Sequence, residues 1–340
     1  MPKEPLHVAI IGGGLCGLAL AIALTRRKIS YTIYEARSSF TEIGAGLNLG
    51  PNTIHAFNAI DPALGDQIFA LATRNAPGNE DVWMNLRFGA ATDNFEDAHF
   101  IAGIRAPPTG NMTVSRNELL QLLAQSIPAD RAKFDKKISD IQQDSTRVEL
   151  TFADGTREAA GAVIACDGAH SAVRRLMLGS QHPAATPRFS HTGGYRAVFP
   201  MHVLEQAIGV DKARSSHIYC GPGGYVIMYP INGGENVNIG LWKYKLLEWA
   251  DDHSWVLSQQ KLQMLEDFRD WGPTIQKLMG MMSDKTQFWT TFHYSESPEH
   301  YFDGRICLIG DAAHAMSPHQ GNFGLCPTPV KPMPMCLADY

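Results

Sequence analysis

Three glycines near the start of the chain constrain it more than any other feature. "HVAII" is a short apolar run of the kind that forms a strand buried on both faces, and it leads straight into Gly12-x-Gly14-x-x-Gly17. Leu15 to Arg27 is rich in helix-forming Leu and Ala, and Tyr31 to Glu35 reads as a second strand. Strand, glycine turn, helix and strand in this order predict a βαβ unit with parallel strands. Gly12 permits the tight turn, Gly14 lets a pyrophosphate approach the backbone, and Gly17 lets helix and strand pack closely. The helix N-terminus faces the phosphate charge. Glu35 lies eighteen residues past Gly17 at the end of the second strand, where an acid can accept both hydroxyls of an adenosine ribose. The fingerprint predicts a dinucleotide site but does not choose between FAD and NAD.

Composition narrows the partners. The 340 residues are 44% apolar, enough for one large or two modest cores, and the net charge is −5. No basic run resembles a nucleic-acid footprint, so no nucleic-acid partner is expected. The six cysteines (Cys16, Cys166, Cys220, Cys307, Cys326, Cys336) are scattered, with no C-x-x-C pair, which points to a reducing, cytoplasmic setting. "VAIIGGGLCGLALAIAL" is apolar, but its glycines cluster in a turn, "MPKEPLH" before it is not strongly basic, and "TRRK" follows where a cleavage site should be. It is therefore not read as a signal peptide, and it is too short and glycine-broken for a membrane span. His314 and His319 lack a third ligand at metal-site spacing, and there is no G-x-S-x-G elbow, so metal-site and hydrolase readings are set aside.

Residues 36–110 are rich in Gly, Asn and Pro and read as long loops with short helices. Thr113 to Ile127 reads as a helix with a capping box, Ser115 as N-cap and Glu118 three residues on. "RVELTFADGTRE" alternates around an Asp-Gly turn and predicts a hairpin, and "GAVIACDG" is a further buried strand ending in Asp167-Gly168. From about residue 180, "GGYRAVFP", "SHIYCGPGGYVIMYPI" and "NVNIGLW" predict a mostly antiparallel sheet joined by Gly/Pro turns. Asp251 to Met282 carries helical spacing, with Leu262, Leu265 and Phe268 on one face. "RICLIGDAAH" then returns to the texture of the N-terminal strand. The fold class expected is α/β: a Rossmann-like first domain over residues 1–180 with some strands of the second sheet interleaved, an inserted antiparallel β-sheet domain over 181–300, and a return to the first domain over 301–324.

Taken with the glycine fingerprint, "CDGAHSAVRR" (with Ser171 and Arg174) and "RICLIGDAAHAMSPHQG" (with Gly310-Asp311, His314 and Pro318) resemble the group A flavoprotein aromatic monooxygenases. "EIGAGLNLGPN" with "VSRNELL" looks closest to the salicylate-hydroxylase-like branch, including its fungal biosynthetic members, and the resemblance runs from Val8 to about Gly324. It implies a GR2/PHBH-type fold that binds FAD, with NAD(P)H as a transient co-substrate. It implies an enzyme that uses O2 to hydroxylate a phenolic substrate through a C4a-hydroperoxyflavin, in secondary metabolism or aromatic catabolism. Carried onto this chain, it places Glu35 on the FAD ribose, Asn48 near the flavin, Arg116 reaching the cofactor from its helix, and Asp167 at the cofactor-facing strand end. Asp311 would meet the ribityl or ribose hydroxyls, and Gly324 would bring backbone amides to the flavin. Without the resemblance, Arg116 is equally a solvated helix cation, Asp311 a cap, and Asp167-Gly168 a β-turn.

Arg196 and Tyr229 are polar tips on apolar strands, and family members hold a phenolate with an Arg and a Tyr on such strands. They are the catalytic candidates: a guanidinium stabilises phenolate or carboxylate charge, and a hydroxyl adds a hydrogen bond. The alternative for Arg196 is an inter-domain salt bridge, and for Tyr229 a place in the core. A lone strand histidine such as His217 is more often satisfied locally. In the family a long helix begins after the position of Gly324, whereas residues 325–340 here hold four prolines in sixteen positions, which excludes a regular helix. That tail reads as irregular and the chain as a C-terminally truncated family member, with weakly FAD-binding or non-catalytic behaviour as the alternative to activity. A flavin oxidase or epoxidase acting on a non-phenolic substrate is the other alternative.

Overall fold

The computed structural model describes residues 6–41, 46–90, 95–244, 246 and 256–316. Gly324, Pro318 and the Pro-rich segment 325–340 lie outside the described residues. The expected α/β class holds. A six-stranded sheet runs in the order Phe302–Asp303, Ile306–Leu308, Ala162–Ala165, His7–Ile11, Ser30–Tyr34, Ala132–Lys133. All its pairs are parallel except the outermost one, between Phe302–Asp303 and Ile306–Leu308. Val8, Ala9 and Ile10 are fully buried, as a strand covered on both faces requires. Against it lies the helix Leu15–Arg26, with Leu18, Ala19 and Ile22 in the core.

The strand His7–Ile11 sits between Ser30–Tyr34 on one side and Ala162–Ala165 on the other. Connections leave it in both directions, and the crevice beyond its C-terminal end is where open α/β sheets bind ligands.

The eight-stranded sheet has the order Val256–Leu257, Phe288–His293, Arg188–Pro200, Asn236–Lys243, Gly224–Ile231, His217–Gly221, Val82–Phe88, Phe100–Arg105. Its pairs are antiparallel save one, His217–Gly221 with Val82–Phe88. The last two strands fall within residues 36–110, where loops with short helices were expected, and this corrects that reading. Phe100–Arg105 is exposed along its whole length, so no core face imposes an alternating pattern on it. A third, small sheet pairs Gly46–Leu49 and Thr73–Arg74 with the central strand Met112–Ser115. The predicted Asp-Gly hairpin is present, joining Val148–Phe152 to Arg157–Ala160 with Gly155 at φ +82°.

Two local readings are corrected. Ser115 is the N-cap of the helix Arg116–Gln125, but its hydroxyl makes no capping hydrogen bond. It is also the last residue of a strand, paired with Gly46, and that ladder sets where the helix starts. Of the stretch Asp251 to Met282 read as helical, residues 251–255 lie outside the described residues, Val256–Leu257 is a strand, and two helices follow, Lys261–Asp267 and Pro273–Met281, separated by residues 268–272 with Pro273 opening the second. Of the predicted face, Phe268 is in the core and Leu265 packs against it partly buried, but Leu262 is 84% exposed and Met264 and Leu278 are buried.

Arg174, fully buried, ties the later segments together. Its Nε donates to the carbonyl of Ala184 at 2.6 Å, and its Nη1 donates to those of Ala312 and Ala313, at the C-terminal end of the short helix Asp311–His314. The guanidinium also stacks 3.6 Å from the Tyr294 ring centroid. Arg174→Ala leaves three carbonyls without this donor, so a loss of about 3 kcal/mol or more is expected. A melting temperature within about 2 °C of the parent would show that these bonds do not hold the segment.

Candidate functional site

At the switch point the two sheets enclose a cavity of about 1140 Å³. That exceeds the usual range for one small ligand, about 300–1,000 Å³, and leaves room for a dinucleotide with a second molecule beside it. The glycines of the fingerprint play three distinct parts here. Gly12 has φ +102°, and a Cβ on it would lie 2.5 Å from the carbonyl oxygen of Cys166. A Cβ on Gly17 would lie 2.0 Å from the oxygen of Gly12. Both are demanded by the fold itself. Gly14 has ordinary backbone angles, and a Cβ on it would meet nothing within 4 Å. Packing does not require glycine there. An open lane to the backbone at the start of a helix is what a pyrophosphate uses.

Glu35 lies across this loop. One carboxylate oxygen accepts the Gly13 amide at 2.7 Å and the other the Arg37 amide at 2.8 Å, which fixes the side chain at the cavity wall with lone pairs to spare for hydroxyls. Asp167 follows the strand Ala162–Ala165. Its Oδ2 accepts the amides of Ala172 and Val173, while its Oδ1 is buried without a hydrogen-bond partner among the described residues. Burial raises its carboxyl above the usual range, against the pull of these hydrogen bonds. Asn48, on Gly46–Leu49, likewise holds a buried Oδ1 with no partner among the described residues. Buried polar atoms of this kind call for a ligand or water to complete them.

Arg116 is the first residue of its helix and lines the same cavity as Asp311, the first residue of Asp311–His314. The two interact: burial lowers the guanidinium and raises the carboxyl, and each charge offsets the shift of the other. Gly12, Gly14, Glu35, Asn48, Arg116, Asp167 and Asp311 thus line one cavity, with Gly17 behind the glycine loop. Gly324 is not among the described residues. The donor and acceptor set suits a dinucleotide: amides for phosphates, acids for hydroxyls, and an amide side chain at the far end.

The eight-stranded sheet closes the other side. Arg196 is half-buried, with its guanidinium carbon 5.1 Å from the ring centroid of Trp242 and 5.8 Å from that of Trp289. It makes no hydrogen bond or ion pair among the described residues, so the salt-bridge alternative has no support there. Burial lowers its pKa, opposed by the hydroxyls of Tyr229 and Tyr225. Directly opposite Arg196 in register is Gly240, where a Cβ would lie 2.7 Å from the Trp242 indole nitrogen. Glycine at that position lets the indole lie beside the guanidinium. Tyr229 is buried at the cavity wall, donates its hydroxyl proton to the Gly46 carbonyl at 2.8 Å, and is pushed by burial up to about 12. His217 has no part in this site. Its Nδ1 accepts from Arg87 at 3.1 Å, burial and that charge push it down to about 3, and it is its neighbour Ile218 that lines the cavity.

Sequence reading missed Trp242, Trp289, Tyr225 and Asn238, all of which line the cavity. The signal lay in the two-residue period: Tyr225 shares a strand face with Tyr229, and Asn238 with Trp242.

Two measurements separate fold from binding here. Gly17→Ala overpacks the helix against the strand and is expected to cost about 1–3 kcal/mol in the cofactor-free chain. Gly14→Ala is expected to cost at most about 1 kcal/mol of stability while weakening FAD binding about tenfold or more, read by flavin fluorescence titration. Equal effects of both on apo stability would contradict this division. Asp167→Asn tests the strained carboxyl. A group whose folded-state pKa is raised stabilises the fold fully only below its unfolded value, near 4, and that contribution is lost as pH rises through the folded value. Asparagine mimics the protonated form, so the variant is expected to melt higher than the parent at pH 7 and to lose the advantage towards pH 4. A variant less stable at pH 7 would show that the charge itself is needed.

Comparison with known proteins agrees with this geometry. Residues 5–325 match the family model described as an FAD binding domain. The 6-methylsalicylate 1-monooxygenase of Aspergillus terreus is 38% identical over 322 residues, covering 93% of this chain and 71% of that protein. The salicylate hydroxylase of Sarocladium schorii is 32% identical over 326 residues, covering 94% and 68%. Among solved structures, a salicylate hydroxylase in complex with substrate superposes with a TM-score of 0.80 at 28% identity, covering 94% of this chain and 76% of that one. A Klebsiella pneumoniae protein complexed with FAD and uric acid shares the fold, with a TM-score of 0.77 at 22% identity, over 94% of this chain and 76% of that one. No helix among the described residues is long and apolar enough to cross a membrane. The match across the chain, and a cavity fitted to its cofactor, make this chain a member of the FAD-dependent monooxygenases of the aromatic, salicylate-hydroxylase type.

Proposed function

We propose that this chain uses NAD(P)H and O2 to hydroxylate a phenolic aromatic anion held at the eight-stranded sheet, with residues 181–300 as the substrate domain. The observation that carries the reading is Arg196, a half-buried guanidinium walled by two indoles, with no anionic partner among the described residues. A cation in that setting is expensive to keep unless a ligand completes it. The flat walls of Trp242 and Trp289 suit an aromatic ring. FAD, when bound, supplies the redox chemistry, taking electrons from the nicotinamide and activating O2.

The chain's own groups place the substrate. Arg196 takes the carboxylate or phenolate charge. The Tyr229 hydroxyl gives its proton to Gly46, so towards the substrate it offers an oxygen that accepts from a ring hydroxyl. With its pKa near 12, that hydroxyl stays protonated at neutral pH. An ortho-hydroxy aromatic acid satisfies both groups at once, and relatives of this chain are named for salicylate and 6-methylsalicylate. The scattered cysteines favour a reducing, cytoplasmic setting.

Arg196→Met tests the proposal. Loss of one charge-assisted contact, about 1.5–3 kcal/mol, corresponds to roughly 10- to 100-fold weaker binding of salicylate, with little change for its neutral amide. Substrate-dependent NAD(P)H oxidation and oxygenated product are measured for both compounds. If the variant keeps the preference for the anion, the proposal fails.

A further inference from the structure

Tyr229 has a second face. We propose that it is a positioning residue for the cofactor: with Asn238 it fixes the peptide at Gly46, and through it the strand that carries Asn48. This rests on FAD as the cofactor and is independent of the substrate proposed above.

The strand Gly46–Leu49 comes from the N-terminal part of the chain, 183 residues before Tyr229. Its first peptide is held from both sides. The Gly46 carbonyl accepts the Tyr229 hydroxyl at 2.8 Å, and the Gly46 amide donates to Asn238 Oδ1 at 3.4 Å. Tyr229 and Asn238 are direct cross-strand partners in the large sheet, so the two contacts form one unit. Gly46 is fitted to it: a Cβ there would lie 2.6 Å from the Tyr229 ring. No larger residue lets the ring lie flush against that peptide.

Two residues on is Asn48, between the buried Leu47 and Leu49. Its side-chain oxygen is the buried acceptor at the cavity wall described above. Asn48 pairs with Thr113 on the neighbouring strand, whose hydroxyl donates to the Pro230 carbonyl, one residue past Tyr229. That strand ends at Ser115, and Arg116 follows. The small sheet therefore carries Asn48, leads directly into the helix that begins with Arg116, and is bolted to the substrate strand Gly224–Ile231 at Tyr229 and Pro230. The Tyr229 hydroxyl is a mechanical link between the two ligands as well as a wall of one of them.

The test uses the full chain. Amide hydrogen exchange is measured without FAD on the parent and on Tyr229→Phe, which keeps the ring and removes the hydroxyl. Exchange at residues 46–49 is expected to rise about tenfold or more, with the amides of residues 7–11 unchanged. FAD affinity, from flavin fluorescence titration, is expected to fall about fivefold. It should fall no further when Asn48→Ala is added to Tyr229→Phe than in Asn48→Ala alone, because the hydroxyl acts through Asn48. Unchanged exchange at 46–49 overturns the proposal, as does full additivity of the two substitutions. Weaker FAD binding with unchanged exchange also overturns it, since the hydroxyl would then act on the cofactor directly. If Tyr229→Phe does not fold, Asn238→Ala is measured in the same way and the same outcomes decide. The exchange result in the cofactor-free chain decides alone if FAD is not retained. Loss of salicylate binding in Arg196→Met bears only on the substrate reading and leaves this one standing.

Discussion

The site depends on a backbone contact. Where the first helix leaves the first strand, Gly17 lies against the carbonyl of Gly12, and Gly12 lies against that of Cys166. No side chain fits at either point. That approach sets the helix directly over the strand ends and aims its free amides along the crevice. It also brings the turn after the first strand against the turn after Ala162–Ala165, so Glu35 and Asp167 meet around one space. The strand Ile306–Leu308 extends the same parallel register and delivers Asp311 to the same end. The remaining cofactor-facing groups are added by elements that pack against this frame.

The cavity concentrates groups that a chain optimised only for stability would avoid. Arg116 and Arg196 are desolvated within reach of each other's field, and Asp167 and Asp311 are carboxyls raised by burial. Such strain is typical of sites that complete their electrostatics with a ligand. The structural arginine behaves differently. Arg174 directs its Nε and Nη1 donors at backbone carbonyls and stacks on an aromatic face, and it bears on the site by holding the helix that begins with Asp311. Arg174 is thus answered by groups of the chain itself, whereas Arg196 makes no hydrogen bond or ion pair among the described residues.

The sequence made the frame legible wherever backbone geometry demanded a residue type. Gly12 and Gly17 have no alternative, and Glu35 follows them at a fixed spacing, whereas Asp167 and Asp311 were placed at the site only by the family resemblance. The strands Val82–Phe88 and Phe100–Arg105 were not legible: the edge strand buries no face, and its neighbour buries Val82, Met84 and Asn85 without strict alternation. The helical face around Leu262 misled in part: Phe268 is in the core, but the helix Lys261–Asp267 is only seven residues long, and its packing buries Met264 and leaves Leu262 in solvent. Arg196 and Tyr229 stood out as polar residues on apolar strands. Trp242 and Trp289 did not, since an indole on a strand reads as core until the cavity beside it is known. The bond from Tyr229 to Gly46 joins positions too distant for any local pattern to relate.

That distance has a kinetic side. The walls of the cavity come from residues between Ile11 and Met316, and strands far apart in the chain are neighbours in both large sheets. Val163 pairs with Ile306, and His217 with Asn85. Contacts of such long sequence separation form late and slowly, because loop closure must precede any reward from pairing. During synthesis the N-terminal βαβ unit can close early, but the cavity cannot exist until the chain has emerged past Asp311. Until that point the emerging chain is a frame of incompletely paired strands, and the cofactor pocket closes later than the N-terminal βαβ unit that starts it.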